Sequence, residues 1–240
     1  MFSPVGFRIN NVKPTKNIIT KNKVLLIIAN TYIGTDLELG VPVINDTNII
    51  SEKYFSRNYQ VLTLIDANLK VVVDWLKLFK DIEFKDFVIY YSGHGTLVEN
   101  FNGRIKIGNS FYELHEDEEE TGKDSAYVFY DYENKSVEFL IDDIFTNIIN
   151  NFKSDVFIIS DCCHSGTIVD NSVELCSHTK SYISACKDYQ YAIQNTVNGL
   201  FTSFICKNFD TEIKDLIENF NKLSSNQQAN YKSNRVKLYV

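Results

Sequence analysis

Two short apolar runs, each ending in a small polar cluster, constrain this chain more than any other feature. Residues 86–95 read DFVIYYSGHG and residues 155–166 read DVFIISDCCHSG. Val156 to Ile159 are apolar on consecutive positions and rich in β-branched residues. That suits a strand buried on both faces of a parallel sheet, although periodicity alone leaves a buried helix segment open. The polar cluster then falls at the C-terminal end of the strand, where open α/β sheets bind ligands. The first run has the same build and ends in Ser92, Gly93, His94 and Gly95. Cys163 and His94 are therefore expected at one sheet edge while far apart in sequence. A Cys with a distant His is a candidate nucleophile pair.

The rest of the chain fits a helix-flanked, mostly parallel sheet, because strand and helix patterns alternate. Residues 23–30 (KVLLIIAN), 59–65 and 182–186 read as strands, and 235–240 alternates as a closing strand. Helical spacing of apolar residues predicts helices over 68–80, 141–151 and 212–223, with further helices at 45–57 and 200–209. Residues 104–107 and 110–114 flank Gly108–Asn109 as a hairpin, and 96–136 is otherwise the least regular part. Residues 1–22 are polar and hold two of the three prolines, which reads as an N-terminal arm.

Composition narrows the function classes. A net charge of −7 without a basic stripe argues against nucleic-acid binding. No apolar run approaches the roughly 20 residues of a membrane span, and the N-terminus lacks an apolar signal core. Five cysteines without framework spacing suggest a reduced, cytoplasmic setting.

The two motifs together resemble the metacaspases, the caspase-like cysteine peptidases. The likeness runs through KVLLIIANTYIGTDLEL, Asn45–Asp46, YSGHG, Ile141–Asp142–Asp143, DCCHSG, SYISACKD and GLFTSF, over roughly residues 23 to 240. It implies a single caspase-like three-layer α/β/α domain, with a large-subunit region 23–170, a linker 171–181 and a small-subunit region 182–240. It implies a monomeric, calcium-activated endopeptidase cutting protein or peptide substrates after Arg or Lys. A calcium-responsive scaffold with an idle dyad is the alternative. A nucleotide- or flavin-binding domain is disfavoured, because no Gly-x-Gly-x-x-Gly follows residues 23–30.

An isolated Cys and a turn His are more often packing residues; both motifs intact reverse that weighting. The family pattern assigns the nucleophile to Cys163, and strand alternation agrees, since Cys162 would face the other side as packing. His94 would protonate the leaving amine. By resemblance, backbone N–H groups of Gly95 and Cys163 form the oxyanion hole, and Asp46, Ser92 and Asp161 line the pocket for the basic residue. Taken alone, Asp46 reads as a helix N-cap. The resemblance also maps calcium-binding carboxylates onto Asp124, Asp142, Asp143 and Asp170. Carboxylates brought together from separate segments repel one another without a cation, and a hard ion with six to eight oxygen ligands resolves this. The family's acidic run is altered here to Thr121-Gly122-Lys123-Asp124-Ser125. Lys180, the one basic residue of the linker, is the candidate for self-cleavage.

Overall fold

The computed structural model describes residues 5–99, 103–114, 122–166, 168 and 180–240. It opens with a short strand β1 (Phe7–Arg8), then β2 (Lys23–Ala29), helix α1 (Val41–Phe55), β3 (Gln60–Ile65), helix α2 (Leu69–Phe79) and β4 (Asp86–Ser92). Antiparallel strands follow: β5 (Gly95–Glu99), β6 (Gly103–Ile107), β7 (Ser110–Leu114), β8 (Lys123–Asp131) and β9 (Ser136–Ile141). Next come helix α3 (Asp142–Asn150), β10 (Val156–Asp161), β11 (Lys180–Ser184), helices α4 (Leu200–Lys207) and α5 (Ile213–Leu223), and β12 (Asn230–Lys232).

Among the described residues, seven strands form the central sheet in the order β1-β3-β2-β4-β10-β11-β12, parallel except for β12. Its central strands are apolar on consecutive positions because each covers two cores. In β2, Val24, Leu26 and Ile28 pack in one core with Leu69, Val72, Leu76 and Phe79 of α2 and Ile144, Phe145 and Ile148 of α3. Leu25, Ile27 and Ala29 face the other way, toward Val43 and Ile50 of α1, Phe201 of α4 and Leu216 of α5. The result is a three-layer α/β/α sandwich, as the alternation of elements implied.

Local chemistry sets the helix ends. Asn68 caps α2 by accepting the Val71 amide at 3.0 Å. Helix α1 starts at Val41, four residues before the expected start at Asn45. Pro42 occupies its first turn, where the fixed φ is already helical and no N–H is missed.

The described part of the N-terminal arm joins the sheet: Phe7–Arg8 pairs with β3 in parallel and Ile9 is fully buried. Two expectations need correction. The stretch 96–136, expected to be irregular beside its hairpin, supplies β8 and most of β5, which pair with each other and, through β8, with β9 in a three-stranded antiparallel sheet. Residues 235–240 are not a strand. The antiparallel closing strand is β12; of the alternating Val236, Leu238 and Val240, Leu238 alone is buried, its carbonyl accepting Tyr54 Oη at 2.6 Å, and the two valines are exposed. The Arg235 guanidinium meanwhile pairs with Asp86 and lies 4.8 Å over the Phe157 ring. Among the described residues no helix is long and apolar enough to cross a membrane.

Candidate active site

The register of the central sheet builds the site. Strands β4 and β10 are neighbours, and Ser92 pairs with Asp161 at their C-terminal ends. His94 and Cys163 each follow two residues later, so the two motif ends leave the sheet in step. Asp46, Ser92, His94, Asp161 and Cys163 line one cavity of about 140 Å³, closed by Ala192, Ile193 and Gly199. Cys162 is 2 % exposed and belongs to the core, whereas Cys163 is only partly buried, in line with the alternation argument.

His94 is held on several sides. Its Nε2 lies 2.8 Å from the Leu37 carbonyl oxygen. A carbonyl only accepts, so Nε2 carries a proton and Nδ1 is the nitrogen left for a further partner. The His94 amide donates to Tyr32 Oη at 3.0 Å, and the His94 carbonyl accepts Tyr91 Oη at 2.7 Å. Both tyrosines are buried, and burial pushes both hydroxyls above their ordinary pKa, so they serve as neutral hydrogen-bonding groups. The Tyr32 and His94 ring centroids are 5.0 Å apart.

Cys163 Sγ accepts the Ala192 amide at 3.3 Å. Burial raises the thiol pKa, the Ala192 N–H lowers it, and the Asp161 charge raises it. His164 stands at φ +50 with its amide on the Gln190 carbonyl, its Nδ1 against the Asp188 carbonyl and its ring edge-on to Tyr191. It shapes the turn after the nucleophile. A Cβ at Gly95 would fall 2.0 Å from the Cys163 carbonyl oxygen. The two backbones expected to supply the oxyanion hole are therefore in contact, which only glycine permits.

The floor of the cavity is a pair of carboxylates. Asp46 and Asp161 are both buried. Asp161 Oδ2 accepts the Thr202 amide at 3.1 Å and its hydroxyl at 2.5 Å. Asp46 accepts the Gly199 amide at 2.9 Å and Asn198 Nδ2 at 2.9 Å. These donors sit at the N-terminus of α4, whose exposed amides and dipole favour negative charge. Burial raises both pKa values; for Asp46 burial and then the Asp161 charge push it to about 8. Burial and mutual repulsion thus oppose two negative charges in the pocket unless a cation joins them. Asp46 is no N-cap, since α1 begins five residues earlier. Leu37, Tyr32, Tyr91, Ala192, Asn198, Gly199 and Thr202 went unassigned in the sequence. Only the Gly199–Thr202 spacing, an amide donor and a hydroxyl three apart at a helix start, offered a signal.

A family profile described as caspase domain matches residues 22–236. The chain belongs to the caspase-domain family. That family consists of cysteine peptidases, and Cys163 and His94 occupy the strand ends where this chain places its nucleophile motif. Solved structures agree on the fold. A protein from Geobacter sulfurreducens matches with a TM-score of 0.64 at 20% identity, covering 88% of this chain and 92% of its own. Caspase-1 from Spodoptera frugiperda matches with a TM-score of 0.53 at 10% identity, covering 90% and 88%. A comparison with curated protein sequences finds no match.

The remaining site residues divide. Asp124 and Asp142 are buried, near the start of β8 and at the start of α3. Asp142 accepts the Ser125 amide at 2.8 Å and the Asp143 amide at 3.0 Å, so both its oxygens brace backbone. Among the described residues no three His, Cys, Asp or Glu side chains converge to hold an ion. Asp170 and the acidic run 116–120 lie outside the described residues. Lys180 opens β11, opposite Val156, at the end of the sheet away from Cys163.

Proposed function

We propose that this caspase-domain chain is a metacaspase-like cysteine endopeptidase that cuts after Arg or Lys. The observation that carries the reading is the buried Asp46–Asp161 pair in the same cavity as Cys163 and His94. A pocket with a paired-carboxylate floor is matched by a guanidinium or ammonium and repels an acidic side chain. When a cationic side chain enters, the proton held by the pair leaves to solvent and both carboxylates bind the cation.

The chemistry follows from the groups in place. His94, proton-bearing at Nε2, takes the Cys163 proton on Nδ1, and the thiolate attacks the scissile carbonyl carbon. The oxyanion so formed is stabilised by backbone N–H groups at Gly95 and Cys163. The intermediate collapses as His94 returns a proton to the leaving amine, and water then hydrolyses the thioester. The Leu37 carbonyl holds the ring for both transfers, and the Tyr32 and Tyr91 hydroxyls fix its backbone.

Calcium activation belongs to the same proposal and rests on the resemblance. Asp124, Asp142 and Asp143 would need Asp170 and further oxygens to complete a shell of six to eight ligands. A bound calcium would neutralise these carboxylates and tie the loop after Cys163 to β8. Self-cleavage after Lys180 competes with a single chain that is active without processing, and intact-mass analysis after incubation with calcium decides between them. The deciding experiment is hydrolysis of paired fluorogenic peptides ending in Arg or Asp, with calcium or chelator. Cleavage of the Arg peptide alone is expected. Preference for Asp would overturn the pocket assignment, and labelling of Cys163 without turnover would favour a scaffold.

A further inference from the structure

A second cavity lies against the other side of the catalytic histidine. It measures about 270 Å³ and is walled by Leu37, His94, Thr96, Val128, Val137 and Phe139. It shares His94 with the carboxylate-floored cavity but includes neither Cys163 nor a carboxylate. Apart from His94 and Thr96, the side chains named are apolar.

The strand pattern makes this wall unusual. Val137 and Phe139 share one face of β9, and both are exposed, at 44 % and 39 %. An outward face of an antiparallel strand beside water is ordinarily polar. Phe139 pairs directly across from Val128, whose amide donates to the His94 carbonyl at 3.1 Å. The exposed apolar face is thus coupled by one backbone hydrogen bond to the catalytic residue. Both side chains also wall a larger groove of about 500 Å³ that runs under the β6–β7 hairpin past Ile105.

Reaction direction identifies the occupant. The residue before the scissile bond sits over Asp46 and Asp161, and His94 delivers a proton to the departing amine. The chain that carries this amine must leave past His94, on the side away from the carboxylates. We propose that this cavity is the leaving-side subsite and takes a large apolar side chain, Leu or Phe, from the first or second substrate residue after the cut. A volume of about 270 Å³ falls just below the roughly 300–1,000 Å³ of small-molecule sites and suits a single side chain. The inference rests on the peptidase reading above, and names a substrate feature that reading leaves open.

The test uses internally quenched peptides identical up to an Arg, continuing with Leu-Phe, Gly-Gly or Asp-Asp. The expected ratio of kcat/KM for Leu-Phe over Gly-Gly is about tenfold or more, the lower end for apolar selectivity in a hydrophobic pocket. Asp-Asp is expected to be poorer still. Phe139→Ser and Val137→Ser, both at exposed positions, are expected to bring that ratio toward one, whereas Phe139→Leu keeps most of it. A wild-type ratio near one, with the Arg peptides cleaved, overturns the subsite alone. A wild-type ratio that persists in both folded serine variants also overturns it, by assigning the preference elsewhere. No cleavage of any Arg peptide, under calcium or chelator, overturns the peptidase reading and the subsite together.

Discussion

Asp46→Asn is expected to stabilise the protein while damaging its proposed activity. Asp46 is 2 % exposed, and its pKa rises from 3.8 to about 8, first from burial and then from the Asp161 charge. In the unfolded chain the same group ionises near its ordinary value, so the unfolded state gains relative to the folded state as pH climbs. The penalty is absent below 3.8, grows between 3.8 and about 8, and is constant above that. At about 1.4 kcal/mol per pKa unit its ceiling is about 6 kcal/mol. Sharing of the proton with Asp161 and local relaxation reduce this, and a net gain of about 2–4 kcal/mol at pH 8 is expected. With its oxygen in the Oδ1 position, the new amide still accepts Asn198 Nδ2 at 2.9 Å and the Gly199 amide at 3.1 Å. Its nitrogen replaces Oδ2 and gives up that atom's Gly199 contact, a loss already inside the discount from the ceiling. Urea unfolding of both proteins at pH 5, 6.5 and 8 measures the effect. The stability difference should widen with pH, while KM for an Arg peptide rises in the variant. A variant less stable than wild type at pH 8, or a difference that does not change with pH, would falsify the reasoning about the buried pair.

Other outcomes follow from the same geometry. Cys163→Ala and His94→Ala should abolish Arg-peptide hydrolysis with an unchanged circular dichroism spectrum, whereas Cys162→Ala should keep most activity and lose about 1 kcal/mol of stability from its core position. Gly95→Ala drives a Cβ toward the Cys163 carbonyl oxygen, and a displacement of about 1 Å there should lower kcat by about a hundredfold; activity within threefold of wild type would show that the contact is not needed. Because burial and the Asp161 charge raise the Cys163 thiol, alkylation by iodoacetamide should accelerate as pH rises above neutral, and a rate flat from pH 6 to 9 would contradict that direction. Calcium should raise activity above the chelated background and Asp143→Ala should shift the response to higher concentration; calorimetry showing no binding at millimolar calcium would remove the metal from the proposal.

The sequence carried the dyad because both halves end strands whose apolar runs are unbroken. The register that pairs Ser92 with Asp161 turns those two local patterns into one site. Asp46 was legible only through family likeness. By its own neighbours it reads as a cap, and its real partners, Asn198 and Gly199, lie about 150 residues away. The hydrogen bonds that hold His94 share this problem: Leu37, Tyr32 and Tyr91 act through a carbonyl and two hydroxyls, which leave no periodicity to read. Strand β8 was missed because Lys123, Asp124 and Ser125 open it with polar residues, although Asp124 and Ser125 are buried. At the C-terminus, alternation over 235–240 marked neither pairing nor a buried face, since Leu238 is buried while Val236 and Val240 are exposed.

The placement of Lys180 bears on how such an enzyme is switched. Strands β10 and β11 are parallel, so the chain leaving the nucleophile's end of β10 must return to the far end of the sheet before β11 can begin. Lys180 pairs with Val156, five residues before Asp161, and at about 3.3 Å per residue that places it roughly 16 Å from the edge that holds Cys163. The bond after Lys180 is also inside the ladder. Ser181 is buried and pairs with Phe157, and Tyr182 pairs with Ile158 on one side and Lys232 on the other. To reach an active site, its own or a neighbour's, this bond must first unpair β11. That strand carries Ala185 and Cys186 toward the loop that supplies the Ala192 amide to Cys163. Opening the strand far enough to cut it would loosen the loop that completes the site. Cleavage at Lys180 and an assembled active site in the same molecule therefore oppose each other, which favours a chain that works uncut, with any processing carried out by one molecule on another that has locally opened.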